Sequence, residues 1–155
     1  MIEDSGFFKY LKSINIPVFK ILNGKNIEDS VKDYEKIVSA KSFILSNQEQ
    51  DGGFAFALGF GSDPDTTAAA IMALTSAGES SNSSAIQNAK NFLKSMQGAN
   101  AGFQSFGTEN SNTTAWAIMS LISMNESPED SFWLVDSNSS VGFMLSLQDA
   151  SGGFK

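Results

Sequence analysis

The sequence predicts an all-α fold of stacked helical hairpin repeats, and two observations carry that prediction. The first is an internal repeat: AKSFILSNQEQDGGF (40–54) aligns with AKNFLKSMQGANAGF (89–103) and VGFMLSLQDASGGF (141–154), so that Gln48, Gln97 and Gln148 recur about fifty residues apart. The second is that the first two copies are each followed by the same alanine-rich apolar run, DPDTTAAAIMAL (63–74) and NSNTTAWAIMSL (110–121). A period near fifty residues marks stacked supersecondary units, none of which buries its apolar face alone.

Residues 1–34 do not carry the repeat. Phe7, Phe8, Leu11 and Ile14 form a short helical stripe before Pro17, which predicts one or two leading helices that cap the array. Asp29 or Ser30 is the expected N-cap of a long helix running to Gln48. Its apolar stripe of Ile37, Ala40, Phe43 and Ile44, opposed by Lys and Glu, is that of an outer helix. The Gln-Gly-Gly-Phe element then supplies glycines for positive φ past the helix end, a phenylalanine that folds back onto the hairpin, and a glutamine amide free to tie neighbouring backbone. Thr67 to Ala77 follows, apolar nearly all round as an inner helix buried on both sides must be, and Thr114 to Met124 repeats it. The units therefore read as 35–80, 81–126 and 127–155. The acidic stretch Glu126 to Asp136, with Pro128, is expected to be a solvated loop between the second and third. Lys155 follows the third Gly-Gly-Phe where an inner helix is expected, so the chain reads as part of a longer array. Phe143, Leu145, Leu147 and Phe154 then lie near an open apolar edge, through which two copies would pair unless residues 7–22 cover it.

Composition narrows the function. At 155 residues, 41 % hydrophobic and 17 % charged, the chain has material for one folded domain. Its net charge is −7 and all ten basic residues are lysines, which argues against a nucleic-acid partner. The absence of cysteine and histidine excludes thiol and imidazole chemistry, disulfides and the usual zinc ligand sets, and no metal or cofactor is expected. No run approaches the length of a membrane span, and cytoplasmic and cell-surface locations both stay open.

The triple QxxDGGF-like element with alternating outer and inner helices resembles the prenyltransferase and squalene-cyclase repeat family, over about residues 35–155. The resemblance implies an α/α toroid, here a partial one of about three hairpins. Its zinc-dependent protein prenyltransferases and its thioester domains both need cysteine, so neither activity fits. Its corrinoid carriers share the fold, with no residue here in their favour. Class II terpenoid cyclases protonate an alkene or epoxide with the middle aspartate of Asp-x-Asp-Asp-Thr-Ala at the start of an inner helix. The sequence here is Asp63-Pro64-Asp65-Thr66-Thr67-Ala68, with Thr66 in place of the third aspartate. The resemblance thus makes Asp65, with Asp63 beside it, the candidate catalytic acid; such an acid must be held protonated by burial and face an aromatic-lined cavity. Phe56, Phe60, Phe106 and Trp116 are the candidate ligand-binding aromatics, with Phe103 and Trp133 as further candidates for a concave hydrophobic face, although aromatics at such spacings more often belong to the core.

The internal comparison points elsewhere. Asn110, Ser111 and Asn112 replace Asp63, Pro64 and Asp65 in the second unit, while Thr-Thr-Ala and the helix behind it stay. Asp and Asn are both good N-caps, so helix initiation explains both copies. The leading expectation is a non-catalytic or incomplete repeat domain that binds an isoprenoid-like hydrophobic molecule or a protein partner; the alternative is part of a class II cyclase using Asp65.

Overall fold

The computed structural model describes residues 27–154 and divides the chain between Ser46 and Asn47 into two compact units. The elements, in order, are α1 (Ile27–Ser46), α2 (Pro64–Ser76), α3 (Ser84–Ser95), β1 (Gln104–Ser105), β2 (Thr108–Glu109), α4 (Ser111–Ser123) and α5 (Ser140–Leu147). The leading helices expected in 1–34 lie, up to residue 26, outside the described residues.

In the first unit, α1 already includes Asp29 and Ser30, so neither is its N-cap, and it stops at Ser46, short of Gln48. Ser46 Oγ donates back to the Phe43 carbonyl at 2.9 Å, closing the last turn. Ile37, Ala40 and Phe43 of the expected stripe are exposed and Ile44 is half-buried.

In the second unit each helix starts on a side-chain cap. Asp63, Ser83, Asn110 and Ser139 accept from the backbone N–H three residues on, at 2.8, 3.4, 2.9 and 3.1 Å. Such caps are worth about 1 kcal/mol each. Pro64 follows Asp63 at the first helical position, where its missing N–H costs nothing. The inner helices α2 and α4 lie side by side, parallel and in register. Near their N-termini Asn112 Nδ2 meets Asp65 Oδ2 at 3.5 Å, and near their C-termini Thr75 Oγ1 donates to Ser123 Oγ at 3.2 Å. α3 packs against α2, and α5 against α4. Ala68, Ile71, Leu74, Ile86, Leu93, Ala117 and Leu121 are fully buried between them, each large aliphatic contributing about 1.5 to 3 kcal/mol.

The recurring Gln loop has a defined mechanical job. Gln48 Nε2 donates to the Gly52 carbonyl within its own loop and to the Ala85 carbonyl in the first turn of α3, both at 2.8 Å. Gln97 does the same, to Ala101 at 3.1 Å and to Trp133 at 2.7 Å. One amide thus closes a loop and fastens it to the start of the next repeat. Gln148 makes the loop bond alone among the described residues, to Gly152 at 3.1 Å. The residue four after each Gln is left-handed, with φ of 88° at Gly52, 68° at Ala101 and 88° at Gly152. The glycine therefore serves the turn inside the loop rather than the helix end, since the helices stop earlier, at Ser46, Ser95 and Leu147. The following phenylalanine is held by the second threonine of Thr-Thr-Ala: Thr67 and Thr114 Oγ1 accept from Phe54 and Phe103 N–H, both at 2.9 Å.

Two expectations change here. The chain is mostly helical, not all-α: Gln104–Ser105 pairs antiparallel with Thr108–Glu109. Phe106 and Gly107, at φ 51° and 78°, make the two-residue turn whose twist suits such a hairpin. The stretch Glu126 to Asp136 is not simply solvated. Glu126 pairs with Lys90 of α3 and accepts the Trp133 indole N–H at 2.8 Å, while Lys90 lies 4.5 Å above the Phe132 ring. The core reading of Trp133 and Phe103 holds: both are fully buried, with their rings 6.1 Å apart.

Candidate functional site

The candidate site is the side of the α2–α4 pair that stays open, together with the loops leading into the two helices. Helical periodicity puts residues 68, 71, 72 and 75 of α2 on one flank, and their repeat equivalents 115, 118, 119 and 122 on the same flank of α4. On α2 this flank is covered: Ala68 and Ile71 are fully buried, Met72 and Thr75 half-buried. On α4 Ala115 and Ile118 are half-buried, but Met119 is 53 % and Ile122 60 % exposed, and Trp116 beside them is also exposed. The expectation that both inner helices are buried on both sides fails for each: α4 covers one flank of α2 while Ala69 and Ala73 on the other stay exposed, and no described element covers the Met119 and Ile122 flank of α4.

The two aspartates have different environments. Asp63 caps α2, with Oδ1 2.8 Å from Thr66 N–H, and Asn110 caps α4 with the same geometry to Thr113. Asp65 lies in the first turn of α2, where a carboxylate complements the helix dipole. Its Oδ2 faces Asn112, and its Oδ1 is buried without a hydrogen-bond partner among the described residues. Buried acceptors are normally satisfied, so this oxygen is the polar atom of the site without a structural explanation.

Three of the four candidate aromatics, Phe56, Phe60 and Phe106, sit on the loops that lead into the inner helices, and Trp116 sits on α4. Phe56 and Phe60 are about three-quarters exposed and meet edge to face at 5.5 Å. Leu58 between them is equally exposed. Phe106 stands fully exposed at the tip of the β1–β2 turn, in a left-handed conformation that is unfavourable for a bulky side chain. Trp116, four residues after Asn112, lies on the open side of α4. Met119, Ile122 and Leu58 escaped the sequence reading; Met119 and Ile122 were findable as the i+3 and i+6 continuation of Trp116.

Carboxylates also shape the loops beneath this end. Asp51 Oδ1 accepts from Gly53 N–H at 3.0 Å and from Ser62 Oγ at 2.7 Å. In the second unit Glu109 takes that part, accepting from Asn100 N–H at 3.0 Å, Asn100 Nδ2 at 2.7 Å and Gly102 N–H at 2.9 Å. Asp51 aligns with Asn100, and Ser62 with Glu109. The carboxylate has changed places with its neutral partner across the same contact. In the third loop Asp149 binds Ser151, whose hydroxyl and N–H hold the Asp149 carboxyl below the usual aspartate range. A separate cleft of about 460 Å³ is lined by Asn100, Asn138, Gly142, Phe143 and Ser146, none of them a predicted site residue. Among the described residues no three acidic groups gather to hold a metal ion, and no helix is long and apolar enough to cross a membrane.

A family model described as the squalene-hopene cyclase N-terminal domain matches residues 13–107, which is more than half of the chain. No curated protein and no solved structure matches it. The matched span takes in the first Gln loop, the whole of α2 and α3, the second Gln loop and β1, and ends before the second inner helix and the third Gln loop. With that span and the repeated Gln clamp and Thr-Thr-Ala inner helix in hand, the chain belongs to the squalene-hopene cyclase N-terminal domain family.

Proposed function

We propose that this chain is a cyclase-like repeat domain that binds an isoprenoid-like hydrophobic molecule on the open side of its inner helices without transforming it. The observation that carries the reading is the exposed apolar set of Trp116, Met119 and Ile122 on α4, with Phe56, Phe60 and Phe106 exposed on the loops that lead into the inner helices. Burying a few hundred Å² of such surface at about 25 cal/mol per Å² is worth several kcal/mol before the cost of association. The capping role of Asp63, matched by Asn110, supports the non-catalytic part, since one of the two aspartates is then engaged with backbone. Farnesol, a C15 isoprenoid alcohol, is the probe. Titration should quench tryptophan fluorescence through Trp116, and Trp116→Ala should weaken binding at least tenfold by calorimetry. No heat or quenching up to the solubility limit of farnesol, or equal binding by Trp116→Ala, would overturn the reading.

A second reading has one observation behind it. The buried, unpartnered Oδ1 of Asp65, at the mouth of the same apolar surface, is where a proton donor of a class II cyclase would stand. Incubation with C15 to C30 isoprenoids separates the two. Cyclised product that disappears in Asp65→Asn favours the cyclase; recovery of unchanged substrate with both proteins favours binding alone.

A further inference from the structure

The cleft of about 460 Å³ beside α5 lies in the joint between the second Gln loop and the helix that follows it, and the equivalent first joint shows how it arises. With Gln97 aligned to Gln148, Phe143 stands at the position of Phe92, Gly142 at that of Asn91 and Ser139 at that of Asn88. The aromatic does the same work in both joints: a Cβ on Gly53 would meet the Phe92 ring at 2.9 Å, and one on Gly102 would meet the Phe143 ring at 2.6 Å. The helix ahead of it differs. α3 has twelve residues, sets Asn88 against Gly52 and offers the Ala85 carbonyl to Gln48. α5 has eight and starts more than a turn later in the alignment, so Gln97 reaches the Trp133 carbonyl instead. Without that first turn a gap remains between the loop at Asn100 and α5, and both of its walls lie within the described residues.

The lining is uncharged: two asparagines, a serine, a glycine and one aromatic, Phe143. Glu109 holds Asn100 in place, accepting from its N–H at 3.0 Å and from its Nδ2 at 2.7 Å, and among the described residues nothing donates to the Asn100 Oδ1. Asn138 is fixed through its backbone, which exchanges hydrogen bonds with Val135 at 2.8 and 3.0 Å across left-handed Asp136 and Ser137, while its carboxamide has no partner among the described residues. Ser146 Oγ donates to the Phe143 carbonyl at 2.7 Å and so offers the cleft an acceptor. With no lysine, aspartate or glutamate in the lining, neither an anion nor a cation finds its counter-charge there. We infer that this cleft binds a neutral mono- or disaccharide. Sugar hydroxyls donate and accept together, as two carboxamides and a hydroxyl require, and the C–H face of a sugar ring packs on Phe143. The volume falls in the range of small-molecule sites. The cleft shares no residue with the apolar set on α4, so it stands apart from the isoprenoid reading.

Hydrogen–nitrogen correlation NMR of the 155-residue chain, titrated with maltose and separately with N,N′-diacetylchitobiose, tests it. At least one sugar should shift the backbone amides of Asn138, Gly142 and Ser146 with a Kd in the millimolar range or tighter, whereas glycerol at the same concentrations should leave them in place. Gly142→Gln fills the cleft from a position where a Cβ meets nothing nearer than Ser139 Oγ at 3.6 Å, and glutamine favours a helix over glycine, so the fold is kept while binding falls at least tenfold. Asn138→Ala should weaken binding to the same extent, with helicity by circular dichroism unchanged. The inference is overturned by unmoved amides with both sugars at tens of millimolar, by equal shifts with glycerol, or by sugar binding that survives either variant.

Discussion

Replacing each repeated glutamine by alanine tests whether the Gln clamp holds successive repeats together, because the three copies make different numbers of bonds. Gln97→Ala removes two donated hydrogen bonds, to the Ala101 and Trp133 carbonyls, and the bond its Oε1 accepts from Lys94. At about 1 kcal/mol net for each donated bond, and about 1 to 2 more for stranding the carbonyl of fully buried Trp133, the loss is about 3 kcal/mol. Gln48→Ala removes the same pair of donated bonds, with the Ala85 carbonyl only half-covered, for about 2 kcal/mol. Gln148→Ala removes one bond at an exposed loop and should cost about 0.5 kcal/mol. Urea denaturation reads all three: with a slope of about 2 kcal/mol per M, the midpoint falls by about 1.5 M, 1 M and 0.25 M in that order. Gln97→Glu keeps size and the Lys94 partner but donates nothing, and should behave like Gln97→Ala. Equal losses at Gln97 and Gln148, or a Gln97 variant within about 0.5 kcal/mol of wild type, would refute the idea that the motif acts between repeats.

Four further outcomes follow from single contacts. Glu109→Ser should cost about 1 to 2 kcal/mol through the loop bonds it removes, and adding Asn100→Asp, which recreates the Asp51–Ser62 arrangement, should restore part of that loss in the same urea assay. Gly52→Ala should destabilise by about 2 kcal/mol or more, since its φ is +88° and the added Cβ would stand 2.6 Å from the Asn88 carbonyl oxygen; Ala101→Gly at the equivalent left-handed site should stay within about 0.5 kcal/mol of wild type, lost methyl burial offsetting relief of strain. Asp63→Asn should be nearly neutral and Asp63→Ala should cost about 1 kcal/mol in thermal or urea melts, as for an N-cap. The Asp149 carboxyl, held low by the Ser151 hydroxyl, should move back up toward the ordinary aspartate range in Ser151→Ala when titrated by NMR; because the folded-state pKa is the depressed one, its contribution is complete above the ordinary aspartate pKa and is lost as pH falls through the lowered value.

Self-alignment made the repeat, the inner helices and their Asp63 and Asn110 starts legible, because those depend on local chemistry that recurs: a cap, the Thr-Thr-Ala after it, an apolar run. What stayed hidden depends on neighbours distant in sequence. Trp116 and Trp133 are the same residue type, yet one is exposed and the other fully buried, decided by whether Lys90 and Glu126 fold over it. The β1–β2 hairpin was hidden for another reason: its turn uses Phe106 where asparagine or glycine is usual, so the sequence carries half of the turn signal. The stripe of α1 read correctly as helical, but periodicity does not say what the stripe meets.

The Asp63 and Asp65 positions looked like one motif with one explanation, and the structure separates them. Asp63 and Asn110 are interchangeable because both accept from the backbone three residues ahead. Asp65 and Asn112 are not interchangeable in that sense, because they touch each other at 3.5 Å. Two carboxylates at that spacing would repel by about 1 kcal/mol in a water-like dielectric and by about 5 kcal/mol near a protein surface. An asparagine can instead donate to its neighbour. Its presence in the second unit is therefore what an aspartate in the first unit demands, and does not show that the position serves only to start a helix. The replacement at 110 speaks for capping, whereas the one at 112 reports the charge of Asp65, so a chemical role for Asp65 has to be judged by its own buried oxygen and by the isoprenoid incubations.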